Sequence, residues 1–387
     1  MDGCATISGV QRSTERFLTT HVGSLPRPDD LVRIMYAQEE GVPVDADALA
    51  ARVRDAVDEV VGLQVGAGID LVNDGEMSKP SYASYPKYRL TGFDGESVTF
   101  PYRDLADFPA MAERVMSDPG RSRRRTPACT GPVASAGSTA PATDVDNLLA
   151  AGGHPVDRFL TAASPGLVAL FFADRYYGSD EDYVFAIAEA MRPEYETITN
   201  AGITLQLDCP DLAMGRHVKY ADLTDAQFRD RTRLNLAALD QATAGIDPEM
   251  LRMHVCWGNY DGPHHRDVPF AEIVDLVLNA RPAAIAFEAA NPRHAHEFTV
   301  FDDVELPAGK VVVPGVLEST SNVVEHPELI AQRIARYAER VGAENVVAGT
   351  DCGFGTWVGQ AAVDPQVVWA KFAALAEGAR IASGRVF

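Results

Sequence analysis

Long apolar runs are missing from this chain of 387 residues. No stretch approaches the ~18 residues that a membrane-spanning helix requires, and the polar start, residues 1–16, lacks the apolar segment of a secretion signal. A cytoplasmic protein with a flexible N-terminal tail over 1–16 is the expectation. Cysteine is scarce as well. Five thiols, Cys4, Cys129, Cys209, Cys256 and Cys352, form an odd and widely spread set, which excludes a disulfide framework and leaves reduced thiols free to bind metal. Basic charge is in short supply, with 34 Lys and Arg against 55 Asp and Glu and a net charge of -21. That balance opposes non-specific binding to nucleic acid or to an anionic membrane. The one dense basic run, Arg121 to Arg125, reads as a solvated loop. Absent too is a G-x-G-x-x-G after the first strand, which weighs against an open doubly wound sheet that binds a dinucleotide.

What is present is an α/β rhythm. β-branched and apolar runs at 17–24, 69–76, 159–165, 203–209, 252–258, 283–288, 310–317 and 345–352 read as eight strands. Apolar residues at helical spacing separate most of them, over 45–66, 181–200, the stretch after Thr224, 270–278 and 327–341. Eight such units in series predict a (β/α)8 TIM barrel as a single domain over 17–387. Between about 77 and 158 the rhythm breaks. Two apolar-aromatic pieces, 88–93 and 98–102, predict a hairpin through Asp94-Gly95, with 129–135 as a candidate third arm. This is an inserted excursion after the second strand.

The reactive residues fall at the C-terminal ends of the strands, the face on which barrel enzymes build active sites. In Arg252–Asn259 the residues His254 and Cys256 are two apart on a strand and share a face. Nitrogen and sulfur on one face suit zinc, and Cys352 and Glu288, at two later strand ends, complete a four-ligand set. Glu288 has a competing partner in Arg293. Ser24, Glu76 and Asp208 end other strands. His294 and His296 follow Pro292 in a loop and rank as lid or proton-relay candidates, while Trp257 is placed to wall the pocket.

Seven motifs in order carry a resemblance: TTHVGSLPRP at 19–28, DGEM at 74–77, LQLDCPDLA at 205–213, HVCWGN at 254–259, AIAFEAANPR at 284–293, PGV at 314–316 and GTDCGFGT at 349–356. The chain resembles the cobalamin-independent methionine synthase superfamily in its short, single-barrel form. The resemblance implies Zn2+ held by His254, Cys256, Glu288 and Cys352. It also implies an acceptor amino acid held by Gly23, Ser24, Glu76 and Asp208. Asp208 and His294 are the candidate catalytic groups, and Arg293 and Trp257 join the substrate-binding set. The expected activity is alkylation of a small thiol as a zinc-bound thiolate, a methionine synthase-like S-methyl transfer. The partners are a small-molecule thiol and an alkyl donor, with homo-oligomerisation left open.

Two departures stand out. The stretch 314–322 holds no histidine where methionine synthases carry one, and Phe171 or Phe172 stands nearest the position of their pterin-stacking tryptophan. A sister branch, epoxyalkane:coenzyme M transferase, is the alternative; its sulfonate acceptor calls for a basic pocket, for which Arg27, Arg293, His217 and Lys219 are candidates. Zinc-assisted hydrolysis and a structural zinc are the further alternatives.

Overall fold

The computed structural model describes residues 9–98, 102–117, 126–360 and 362–387. Seven parallel strands form one curled sheet: β1 (Leu71–Val72), β4 (Asp157–Ala163), β5 (Thr204–Asp208), β6 (Leu251–Val255), β7 (Ala284–Glu288), β8 (Val311–Leu317) and β9 (Gly349–Thr350), in that order. Helices fill most of the connections, and β7 and β8, buried along their whole length, read as nearly unbroken apolar runs. The remaining two strands, β2 (Leu90–Asp94) and β3 (Ala128–Ser135), pair antiparallel in a separate small sheet.

Local signals explain the helices that hold the sheet. Asp45 caps Ala46–Gly66 by accepting from the backbone N–H groups of Asp47 and Ala48. Thr224 and Gln227 make a reciprocal capping box at the start of Asp225–Ala242, satisfying two donors that a helix N-terminus leaves open. Helix Pro327–Val341 has the bounds its periodicity predicts. The 270–278 helix is shorter than expected, a 3-10 turn Phe270–Glu272 followed by Val274–Asn279. Helix Pro365–Val386, which the strand count passed over, packs against Pro327–Val341.

Two predicted strands are shortened at the sheet's edges. In place of a strand over 17–24, Thr19 forms a single parallel bridge to Ala348. The backbone N–H of Thr20 donates to Ala348 O at 2.9 Å, and the N–H groups of Asp70 and Leu71 donate to Thr19 O at 3.1 and 3.0 Å. Segment 17–22 is thus bonded to both edges of the sheet. The ladder stops there because side chains take its place: Thr19 N donates to Asp70 Oδ2 and Thr20 Oγ1 donates to Leu71 O. The 69–76 strand likewise keeps only two residues in the ladder before it turns.

The excursion differs from the predicted hairpin. Leu90–Asp94 pairs with Ala128–Ser135, Leu90 opposite Ser135 and Asp94 opposite Ala128, so the arm proposed as third is the partner. Of the predicted arm 98–102, residues 99–101 lie outside the described residues, as does the basic run 121–125.

Inside the curl, Leu18, Ala284, Ala286, Val311, Val313 and Val347 form a small apolar plug near the N-terminal ends of the strands. Beside it Arg252 donates to Thr20 Oγ1 at 3.0 Å and His21 O at 2.6 Å and lies over the Phe159 ring at 4.6 Å. The other end of the strands is left for chemistry.

Candidate metal centre

Parallel register decides which side chains meet. Asp208 of β5 stands beside His254 of β6, and Glu288 of β7 beside Gly315 of β8. His254 and Cys256, two residues apart, face the same side. Cys352 stands two residues past the end of β9. The result is a buried group, His254, Cys256 and Cys352, whose ligand atoms all lie within 4.8 Å of one another. Cys352 Sγ is 4.0 Å from His254 Nε2 and 3.9 Å from Glu288 Oε1. With Zn–S about 2.3 Å and Zn–N about 2.0–2.1 Å, a tetrahedral edge is roughly 3.6 Å, so the donor set fits a metal ion with small adjustments. The neighbouring Cys256 and burial push the Cys352 thiol well above its ordinary value.

The surroundings orient each donor. His254 Nδ1 lies 3.4 Å from Asp208 Oδ1, the carboxylate–imidazole contact that orients a ligand ring, and its Nε2 lies 3.2 Å from Asp351 O on the side of the two thiols. Gln206 Nε2 donates to that same Asp208 oxygen at 2.9 Å and to Val22 O at 2.5 Å. Glu288 Oε1 accepts from the backbone N–H of Trp257 at 2.8 Å, and its Oε2 from Asn291 Nδ2 at 3.0 Å. Arg293, the competitor predicted for Glu288, is exposed instead.

Asp351 is a residue the sequence reading passed over. Its carboxylate accepts from the backbone N–H groups of Ala289, Ala290 and Asn291 at 2.8, 2.8 and 2.6 Å. It therefore ties the loop after Glu288 to the strand end that carries Cys352, reaching across β8. Gly315 makes room for it, since a Cβ there would stand 2.3 Å from Asp351 Oδ1. The only sequence signal was its place in the motif Asp351-Cys352-Gly353.

A pocket opens beside the donors, bounded by Ser24, Glu76, Tyr82, Asp208, Asn259 and Thr356. Asn73-Asp74-Gly75-Glu76 makes its floor by local bonding: Asn73 Oδ1 accepts from Gly75 N and Asp74 Oδ1 from Glu76 N. Glu76 is thereby held at φ 58°, a left-handed conformation costly for a side chain of this kind and concentrated at functional sites. Its Oε1 accepts from Thr161 Oγ1 at 2.9 Å. Its Oε2 is buried with no hydrogen-bond partner. Burial pushes this carboxyl up to about 7; Lys79 pulls the other way and the nearby Asp208 adds to the rise. Gly23, at φ 143°, presses against Thr161, where a Cβ would come within 2.6 Å of its methyl group.

Several predicted residues stand elsewhere. The Trp257 indole is fully buried, its Nε1 donating to Val268 O at 2.6 Å. His294 stacks on that indole, with both ring nitrogens bonded to carboxylates. Arg27 spends its guanidinium on Gly355 O, Glu76 O and Lys79 O, and Lys219 donates to Ala169 O. Among the described residues lining the pocket there are two carboxylates and no Lys or Arg, so no basic pocket is assembled. In the loop after β8, Glu318 folds back to accept from the N–H groups of Thr320 and Ser321. Phe171 meets Tyr82 of the pocket wall edge-on at 6.3 Å.

Residues 172–374 match the family model described as "Cobalamin-independent synthase, Catalytic domain". The chain belongs to this family. Named relatives match it along nearly its whole length. It is 23% identical over 368 residues to a protein named methionine synthase from Saccharolobus solfataricus, covering 94% of each chain. A methionine synthase from Thermococcus kodakarensis is 23% identical over 366 residues, covering 94% of this chain and 92% of the relative. Among solved structures, a B12-independent methionine synthase from Shewanella sp. in complex with selenomethionine superposes with a TM-score of 0.72 at 19% identity, covering 96% of this chain and 98% of that one. The likeness shows that this chain shares that fold. The named relatives support a methyltransferase-type enzyme acting on small molecules.

Proposed function

We propose that the chain is a zinc-dependent S-alkyltransferase that activates a small thiol, a methionine synthase-like methyltransferase whose acceptor is an amino-acid thiol of the homocysteine type. The observation that carries this reading is the convergence of His254, Cys256 and Cys352 on a pocket that also presents a buried carboxylate oxygen without a partner. On this reading, segment 17–22 is the first strand of a closed (β/α)8 barrel, in keeping with its bonds to both sheet edges.

His254, Cys256 and Cys352 hold the metal, with Glu288 as fourth ligand. A zinc ion bound there supplies the deprotonation of the substrate thiol, since coordination to zinc holds sulfur as the thiolate at neutral pH. The chain's own residues do the rest. Glu76 and Asp208 receive the acceptor's ammonium group, and Gly23 and Ser24 form the turn that orients it. Asp208 also fixes the His254 ring through Nδ1. The acidic lining favours an ammonium-bearing acceptor over the sulfonate thiol of the epoxide-opening branch. His294 is given no proton-transfer step, because its two nitrogens already bond Asp267 and Glu297.

Zinc X-ray absorption with and without homocysteine tests the reading. A sulfur ligand added on homocysteine binding is the expected result; an unchanged sulfur count points to water activation and hydrolysis. A Cys352→Ala protein that keeps full zinc content and full thiol methylation overturns the assignment.

A further inference from the structure

Behind the metal centre, the loops after β6 and β7 enclose a second set of ionisable side chains that the proposed reaction leaves unused. Asp267 is buried and accepts on one oxygen, Oδ2, from His264 Nδ1 at 2.8 Å and from His294 Nε2 at 2.9 Å. His294 Nδ1 donates to Glu297 Oε2 at 2.8 Å, and His264 Nε2 to Tyr260 O at 3.2 Å. Glu297 is anchored in turn by the Phe270 N–H at 2.7 Å. Each ring nitrogen of these two histidines faces a carboxylate or carbonyl, which has no proton to give, so both rings carry two protons and a positive charge. Burial works against that charge. The carboxylates outweigh it, Asp267 above all, raising His264 to about 9 and His294 to about 10.

The cluster reaches the metal centre through Trp257. The His294 ring lies on the indole with centroids 4.1 Å apart and planes 28° from parallel, a cation over the best of the aromatic faces. Val268 O, one residue beyond Asp267, holds the indole edge at Nε1. Trp257 is therefore gripped on face and edge, and its backbone N–H, the peptide next to Cys256, points at Glu288 Oε1. That is the oxygen 3.9 Å from Cys352 Sγ. Glu288 has a second hold on Asn291 Nδ2; with the Trp257 amide displaced, its carboxylate is free to turn toward Asn291.

We propose that Asp267 and His294 are positioning residues of the metal centre: the imidazolium–indole stack fixes the Cys256–Trp257 peptide and so sets the place of Glu288 Oε1 among the donors. This rests on the reading of Cys256, Cys352 and Glu288 as ligands. The two buried cations also offset the negative charge that two thiolates and a carboxylate concentrate nearby. Outer partners of metal ligands act through this kind of orientation, and changing one costs about 10–100-fold in metal affinity.

The test uses the full chain carrying Asp267→Asn or His294→Gln, loaded with Co2+ as a spectroscopic stand-in. Chelator competition gives the affinity, the ligand-field bands report the geometry, and the sulfur-to-cobalt charge-transfer band counts thiolates. Glu288→Gln provides the reference shift. Both variants should bind Co2+ about 10–100-fold more weakly, with ligand-field bands moved toward those of Glu288→Gln and the charge-transfer band kept. Affinity within twofold of wild type, with unmoved bands, overturns the inference while leaving the metal reading intact. If either protein fails to fold, Trp257→Phe keeps a ring under His294 but loses the bond to Val268 O. It should weaken binding in the same direction, and unchanged affinity there overturns the inference equally. A wild-type protein that takes up neither Co2+ nor Zn2+ overturns the metal reading and this inference together.

Discussion

His254 and His294 are both buried and both close to a carboxylate, one near the end of β6 and the other in the loop after β7, yet their surroundings differ. His294 is bonded at 2.8 and 2.9 Å to Glu297 and Asp267, one at each nitrogen. His254 has one nitrogen 3.4 Å from Asp208, while the other lies 3.2 Å from the backbone carbonyl of Asp351 and 4.0 Å from a thiol. A histidine gripped by a carboxylate at each nitrogen is held in place as a cation. One with a single carboxylate, whose other nitrogen meets only a backbone carbonyl and a thiol, can exchange that weaker contact for a metal. The lesson is that burial and an acidic neighbour do not distinguish the two; what the second nitrogen faces does.

Removing a donor breaks the contrast most severely. Cys352→Ala or Cys256→Ala should weaken zinc binding by at least about 100-fold, beyond the range seen for outer-shell changes, measured by chelator competition. Next, Asp208→Asn keeps the shape beside His254 but removes the charge that fixes the ring, and should cost about 10–100-fold in metal affinity or transfer rate.

Glu76 comes third. Its folded carboxyl titrates at about 7 against an ordinary 4.5. An ammonium group binds the ionised form, so KM for the thiol acceptor should fall as pH rises through about 7. Glu76→Gln should flatten that profile and raise KM about tenfold at pH 8, the effect of one lost charge-assisted hydrogen bond. For stability the sign is opposite. The folded carboxyl keeps its proton where the unfolded one has released it, so the ligand-free protein should lose stability as pH rises from about 4.5 to 7.

The smallest effect concerns a third histidine. His21 accepts from the Gly23 N–H at Nδ1 and bonds Gln64 Oε1 through Nε2 at 2.7 Å, and burial lowers it from 6.5 to about 3. It is neutral in the folded protein. Its contribution is complete above about 6.5 and is lost as pH falls toward 3, by up to about 1.4 kcal/mol per pH unit. Because Glu76 acts in the opposite direction over the same range, the comparison is with the variant: between pH 7.5 and 5.5, urea denaturation should show the stability of wild type falling relative to His21→Gln by about 1.4 kcal/mol.

Much of the site was legible because strand alternation is a local property: residues i and i+2 share a face, which puts His254 with Cys256 before any fold is known. Strand-end placement brought Glu288, Cys352, Glu76 and Asp208 to the same region for a similar reason. Caps such as Thr224 with Gln227 fixed helix starts in the same local way. What stayed hidden depends on distant partners. Nothing near Asp267 in the chain announces His294, which is 27 residues away, and nothing near Leu90 announces Ser135. The first strand shrank to one bridge because Thr19 and Asp70 traded backbone bonds for side-chain bonds, an exchange that hydrophobic pattern does not register. Arg293 drew attention by standing near Glu288 in sequence, but the turn through Pro292 leaves it exposed.

Asp351 gives the site a weak point that contains no ligand. It bridges two strand ends over a third by occupying the space that Gly315 leaves empty. A single methyl group added at Gly315 would evict that carboxylate, release three backbone N–H groups at once and let the Glu288 loop drift from the Cys352 strand end. On the proposed reading four donors would survive in the sequence and be lost as a set, which makes Gly315 a support of the site that touches none of them.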